Sequence, residues 1–341
     1  MKRLVQQLMD LNRVHSELFV GQKTARDRHH ANHPTNIAAF KCMDGRINLA
    51  SLTETPIGII RPFRNIGGIF DLGWTALNAQ LHHYVQTSVE KGRKILFLVT
   101  YHFAEGDPHR GCRGHEYDAD RAIRSAAKLV EQIRRVFDGD PGIYPIMLGV
   151  ETDRQKLIFH GRDGKRVETG RIADDIAALR GLIRTSYPDM HPEIVPDLVP
   201  LLHGNIRHLA HVSGVQPAPE DQEHKERTIA IGQGFEWLPH NWALAINDLE
   251  LTLDDTIGKA AGIIKDNIRA RRINPRDKGL LLASVPYETG GYERRLAIER
   301  ARHLQQLGQE SIEKFHADLR SFFEPLTAIM NWQTRRLEVI D

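Results

Sequence analysis

The residues best suited to chemistry lie in Phe40-Lys41-Cys42-Met43-Asp44-Gly45-Arg46, where the apolar run Ile37-Ala38-Ala39-Phe40 gives way to a thiol, a carboxylate and a guanidinium. A buried strand ending this way puts those groups at the carboxyl edge of a sheet, where open α/β folds bind ligands. The chain's other cysteine, Cys112, sits in a polar loop after a second apolar run, Ile95-Leu96-Phe97-Leu98-Val99-Thr100. His102 and His109 lie in the same region. Two thiolates and an imidazole from neighbouring strand ends make a three-ligand site with an open fourth position, which is how catalytic rather than structural zinc is held. Asp44 is two residues from a ligand, close enough to accept a hydrogen bond from zinc-bound water, and Arg46 could pair with Asp44 and keep it off the metal. In the loop Arg64-Asn65-Ile66-Gly67-Gly68, the two glycines let backbone approach the site with no side chain between.

The elements that must position these groups follow from periodicity. Leu4, Leu8, Leu11, Val14 and Leu18 recur at helical spacing. Residues 21–33 read as an exposed, solvated connector, with His29, His30 and His33 too loosely set to be a metal site. Strands are predicted over 37–40, 57–62, 95–100 and 144–150, with 157–159 returning as a hairpin. Residues 74–90 read as a helix, and Asp118 caps another whose Ile123, Ala126, Val130, Ile133 and Phe137 share a face. Alternating strand and helix means α/β, with a mostly parallel sheet. From 161 to 225 Pro188, Pro192, Pro196, Pro200, Pro217 and Pro219 punctuate a helical connector, and its His208 and His211 suit a polar helix face.

The pattern then starts again. Thr228 to Trp237 parallels Asn36 to Gly45, Gly279 to Val285 parallels the strand before Cys112, and Trp332 to Ile340 echoes Thr152 to Phe159. The expected domains are an N-terminal helical arm (1–35), a metal-binding α/β domain (36–161), a helical connector (162–226) and a second α/β domain (227–341). The second copy has Gly234 where the first has Cys42, and no cysteine at all. Only one half can do thiol chemistry.

With 41% hydrophobic and 26% charged residues the composition is that of a soluble globular protein. A net charge of +2 gives no reason to expect nucleic acid or an anionic membrane as partner. No apolar run approaches a membrane span and no signal peptide is evident, so two distant cysteines are expected reduced, in the cytoplasm.

Cys42-x-Asp44-x-Arg46, the Arg64-to-Gly68 loop and a histidine and cysteine after the next buried strand resemble the β-class carbonic anhydrases. Residues Val150 to Leu157 are similar to that family's closing strand-turn-strand. His109-Arg110-Gly111-Cys112 has the family's usual spacing, whereas His102 has its usual place after the strand and a wider gap to Cys112. The wide gap, the duplicated domain and the N-terminal helical segment resemble the carboxysomal shell branch. The resemblance implies Zn2+ on Cys42, His102 and Cys112 (His109 being the alternative to His102), Asp44 and Arg46 as catalytic residues, and Gly67 and Gly68 at the substrate. It implies hydration of carbon dioxide to bicarbonate by a zinc-bound hydroxide, and an intrachain pseudo-dimer with one zinc. His115 is a conceivable proton shuttle, although an exposed loop histidine is the plainer reading. Further self-association into a homo-oligomer is expected, as in that class. Members of the shell branch carry an N-terminal packaging extension; this chain starts almost directly at a helix, so the cytoplasm is expected before the carboxysome.

Other chemistries fit less well. A cysteine phosphatase needs five residues between Cys and Arg, and Cys42 and Arg46 have three between them. Zinc deaminases need Pro-Cys-x-x-Cys, which one cysteine per loop does not supply. The family resemblance also permits hydrolysis of carbon disulfide or carbonyl sulfide at the same site, and a non-catalytic zinc-binding scaffold is the third reading.

Overall fold

Runs that are apolar at every position suit strands buried on both faces, and such runs form the middle of both sheets. The computed structural model describes residues 2–212, 223–238 and 241–340. Its contacts separate two units, Thr24–Cys42 with Ile47–Gln222, and Met1–Lys23 with Met43–Arg46 and Glu223–Asp341. The first helix, α1 (Lys2–Gly21), belongs to the latter.

The unit that carries both cysteines begins with α2 (Lys23–Asn32), β1 (Asn36–Cys42), α3 (Leu49–Leu52), β2 (Ile60–Asn65) and α4 (Thr75–Glu90). It continues through β3 (Ile95–Phe103), α5 (Ala119–Val136), β4 (Ile143–Glu151), β5 (Lys156–His160), β6 (Arg166–Glu168), α6 (Ile176–Ser186) and α7 (Val195–Val212). The sheet order is β2-β1-β3-β4-β5-β6, parallel from β2 to β4 and antiparallel from there to β6. Phe40 anchors the core beside the site: its ring stacks on Phe63 at 5.1 Å and meets Phe70 edge-on at 5.2 Å. The strand that ends in Cys42 is thus held rigidly from below.

The other unit contains β7 (Thr228–Gly232), β8 (Ala243–Ile246), α8 (Leu253–Arg269), β9 (Gly279–Tyr287), α9 (Tyr292–His316), β10 (Phe323–Asn331) and β11 (Arg336–Val339). Its sheet order, β8-β7-β9-β10-β11, repeats the first five strands of the other sheet, β2-β1-β3-β4-β5, with only the last pair antiparallel. The closing turns match in backbone too, since Gln155 and Arg335 both take φ 60°. The chain is therefore two tandem α/β units with mostly parallel sheets, preceded by a helix.

One correspondence extends outside the strands. In the first unit Asn205 of α7 is fully buried, donates to the carbonyl of Gln155 and accepts from the amide of Leu157. In the second, Asn12 of α1 is fully buried, donates to the carbonyl of Arg335 and accepts from the amide of Leu337. So α1 and α7 are equivalent helices. Each precedes one repeat in the sequence and clamps the closing turn of the other.

Several elements differ from expectation. Residues 23–32 form a helix, not a solvated connector, and place His29 and His30 half-buried. The second strand starts at Ile60 and runs to Asn65, so Arg64 and Asn65 lie in it; Pro62 is accommodated because β2 is an edge strand. The third strand continues to Phe103, which puts His102 within it. Within 162–226 the structure has β6, α6 and α7, while Pro217 and Pro219 lie outside the described residues. His208 and His211 bond to Gln155 and Glu54 respectively. No helix among the described residues is long and apolar enough to cross a membrane.

Candidate metal centre

Cys42 is the last residue of β1, His102 the penultimate residue of β3, and Cys112 opens a short 3-10 turn in the following loop. Because β1 and β3 are parallel neighbours, their carboxyl ends bring the thiol and the imidazole to one edge. All three are buried, and their ligand atoms lie within 4.8 Å of one another. The two sulfurs are 3.9 Å apart, which is not a disulfide, whose sulfurs sit about 2.05 Å apart. Two thiolates of one tetrahedron with bonds of about 2.3 Å would stand roughly 3.8 Å apart. His102 is 2% exposed, and neither ring nitrogen has a hydrogen-bond partner. Burying an unsatisfied imidazole costs on the order of 1–3 kcal/mol. A soft divalent cation between two sulfurs removes that cost, so these residues fit zinc. His109 is exposed, its ring packed edge-on against Tyr117, and does not join the group.

Backbone presses close around the centre. Gly67 and Gly68 turn with φ of 63° and 64°. A Cβ on Gly68 would lie 3.1 Å from the Thr100 carbonyl oxygen and 3.3 Å from the Cys42 amide nitrogen. A Cβ on Gly114 would lie 2.5 Å from the Gly67 nitrogen, so neither loop tolerates a side chain there. Asn65 fixes this turn by donating to the Ile69 carbonyl at 2.9 Å. His115 is buried rather than exposed, and its Nε2–H donates to the Gly67 carbonyl at 2.9 Å. Burial lowers its pKa, opposed by that hydrogen bond. Its proton holds a turn in place, and its burial corrects the reading of an exposed loop histidine. Glu151, fully buried, accepts from the amides of Glu105, Asp153 and Arg154, pinning the end of β4 to the loop after β3.

Asp44 and Arg46 follow Cys42 in the chain but belong to the second unit. There Met43 accepts from the Ala245 amide and Asp44 bridges to Leu244 of β8. Arg46 clasps the Asp44 carboxylate with Nη2 at 2.7 Å from Oδ2 and Nε at 3.1 Å from Oδ1, and its own amide donates at 2.9 Å. Both side chains are nearly excluded from solvent. On the far side of the guanidinium stands His224, its Nε2 3.1 Å from Arg46 Nη2. Its Nδ1 is 2.8 Å from Glu226 Oε1, and Asn267 donates to the other Glu226 oxygen at 3.0 Å. Asp44, His224 and Glu226 are close enough together to suggest a second metal group, but the Arg46 guanidinium is the cation they hold. Nothing in the sequence pattern singles out His224 and Glu226, since Arg46 is 178 residues from His224.

Strand register corrects the expected pairing of Gly234 with Cys42: Phe40 pairs with Val99 as Ile231 pairs with Ala283, so Gln233 is the counterpart of Cys42. A Cβ on the neighbouring Gly234 would fall 1.9 Å from the Met330 methyl carbon. Strand register makes Pro286 the counterpart of His102, the former pairing with Met330 and the latter with Val150.

Residues 29–177 match the family described as Carboxysome Shell Carbonic Anhydrase, catalytic domain. No curated protein matches the chain.

Proposed function

We propose that this chain, whose residues 29–177 match the carboxysome shell carbonic anhydrase catalytic-domain family, hydrates carbon dioxide reversibly to bicarbonate and a proton at the Cys42–His102–Cys112 centre. The observation that carries the reading is the buried His102 ring, with both nitrogens unsatisfied, beside two sulfurs 3.9 Å apart. Zinc bound there would supply Lewis acidity that brings the ionisation of water toward neutral pH.

The protein's own residues do the rest. Cys42, His102 and Cys112 would hold the ion, the two cysteines as thiolates whose charge of about −2 would balance it. Asp44, its carboxylate clasped by Arg46, accepts the hydrogen bond of the attacking water and so fixes which lone pair meets carbon dioxide. Arg46 keeps Asp44 in place. Gly67 and Gly68 leave room for a small linear substrate against backbone, where a side chain would intrude. The domain reading belongs to the same proposal: a helical arm, a catalytic domain over 36–161, intervening helices, and a second domain without ligands that acts as a pseudo-dimer partner. One zinc per chain follows from that division. A homo-oligomer in the cytoplasm completes the reading, with shell residence, the family's description, decided by whether the protein co-sediments with carboxysomes.

Stopped-flow carbon dioxide hydration on metal-analysed protein tests this. Activity that scales with about one zinc per chain is expected, with loss on chelation and recovery on zinc return. Zinc without carbon dioxide hydration would move the reading to carbon disulfide or carbonyl sulfide, to be assayed on the same sample. Neither zinc nor activity would leave only a scaffold.

A further inference from the structure

We propose that His224 and Glu226 are positioning residues for the reaction, holding Arg46 so that Arg46 can hold Asp44. The inference rests on the reading that Asp44 works at the metal centre. It starts from hydrogen-bond direction. A guanidinium has donors and no acceptor, so His224 Nε2, 3.1 Å from Arg46 Nη2, must present its lone pair. The ring's proton is then on Nδ1, where Glu226 Oε1 accepts it at 2.8 Å. Glu226 is fully buried and is itself fixed through its second oxygen by Asn267 of α8. The series Asp44, Arg46, His224, Glu226 thus alternates anion, cation, neutral ring, anion, with each contact charge-assisted.

The clasp on Asp44 uses Arg46 Nε and Nη2. An arginine side chain has four rotatable bonds and costs up to about 2 kcal/mol to immobilise. The His224 contact fixes the far end of that fork against a ring which a buried carboxylate orients. The support for the Asp44–Arg46 pair thus comes from the same unit that holds the pair.

The experiment uses the full chain in five forms: wild type, His224→Leu, His224→Gln, Arg46→Ala, and His224→Leu combined with Arg46→Ala. Glutamine carries an acceptor and a donor about as far apart as the two ring nitrogens, so it restores both contacts, whereas leucine restores neither. Losing a hydrogen bond to a charged group is expected to lower kcat/KM of His224→Leu roughly ten- to a hundredfold, with zinc content unchanged. His224→Gln should recover most of that loss. In the Arg46→Ala background His224→Leu should cost nothing further, because the two residues act as one.

A readout independent of activity is the tautomer of His224, by nitrogen-15 NMR of histidine-labelled protein, with the resonance assigned by its disappearance in His224→Gln. The Nδ1–H form is expected in wild type, and a changed spectrum in Arg46→Ala. An Nε2–H tautomer, or equal losses in the presence and absence of Arg46, would overturn the proposal. Wild-type protein that binds zinc and shows the Nδ1–H form, yet hydrates no carbon dioxide, would instead overturn the functional reading while the hydrogen bond stood.

Discussion

Ligand choice is decided by burial and by unmet hydrogen-bonding capacity. His102 and His109 are both histidines near Cys112, yet one is enclosed with two unsatisfied nitrogens and the other is exposed on a loop. Replacing Cys42 or Cys112 by serine, or His102 by alanine, should each lower bound zinc far below one per chain, whereas His109→Ala should leave it unchanged. Metal analysis after desalting measures this, and zinc loss in His109→Ala would reassign the ligand. The thiols, the Asp–Arg pair and the two glycines were legible in the sequence because each sits at a strand end that an apolar run announces. Choosing between the two histidines needed the length of β3, and its last three residues, Tyr101, His102 and Phe103, look polar or mixed where a strand signal is apolar. His224, Glu226 and the buried state of His115 had no local sign at all, because their partners Arg46 and Gly67 lie far away in the chain.

At the level of elements, the repeat is held together by two asparagines that sequence pattern does not single out. The strands repeat legibly because central parallel strands are written as continuous apolar runs. The arms do not, because α1 is an amphipathic leucine helix while α7 is interrupted by Pro200. Similarly, α2 lacks any apolar stripe, and its Lys, Ala and Arg content favours helix without showing a buried face. Asn12 and Asn205 make the same pair of bonds to the two closing turns. Each leaves a buried backbone donor and acceptor unmet if removed. Asn12→Leu and Asn205→Leu are each expected to destabilise the fold by roughly 1–3 kcal/mol, read by urea denaturation. If only one did so, the two arms would not be equivalent in energy as they are in geometry.

For the molecule as a whole, buried histidines set how stability depends on pH. His160 is buried at the end of β5, where Nε2 accepts from the Tyr101 hydroxyl at 2.8 Å. Burial, with Arg166 nearby, lowers its pKa from 6.5 to about 4. Burial likewise pushes Tyr101 up to about 12, so the phenol remains a donor throughout. His29, half-buried beside His33 and His30, is also lowered to about 4, chiefly by burial. The folded state therefore keeps these rings neutral where the unfolded chain protonates them, below about 6.5. Between those limits the unfolded state binds more protons, so unfolding free energy rises with pH. Their contribution is complete above about 6.5 and is progressively lost as pH falls toward 4. Glutamine at position 160 can still accept from Tyr101 but does not titrate. In His160→Gln the fall in denaturation midpoint between pH 6.5 and 4 should therefore be shallower than in wild type, whatever the metal ligands contribute to both. Parallel curves for the two proteins would show that His160 is protonated as readily folded as unfolded, and that the Tyr101 hydroxyl does not hold its ring neutral.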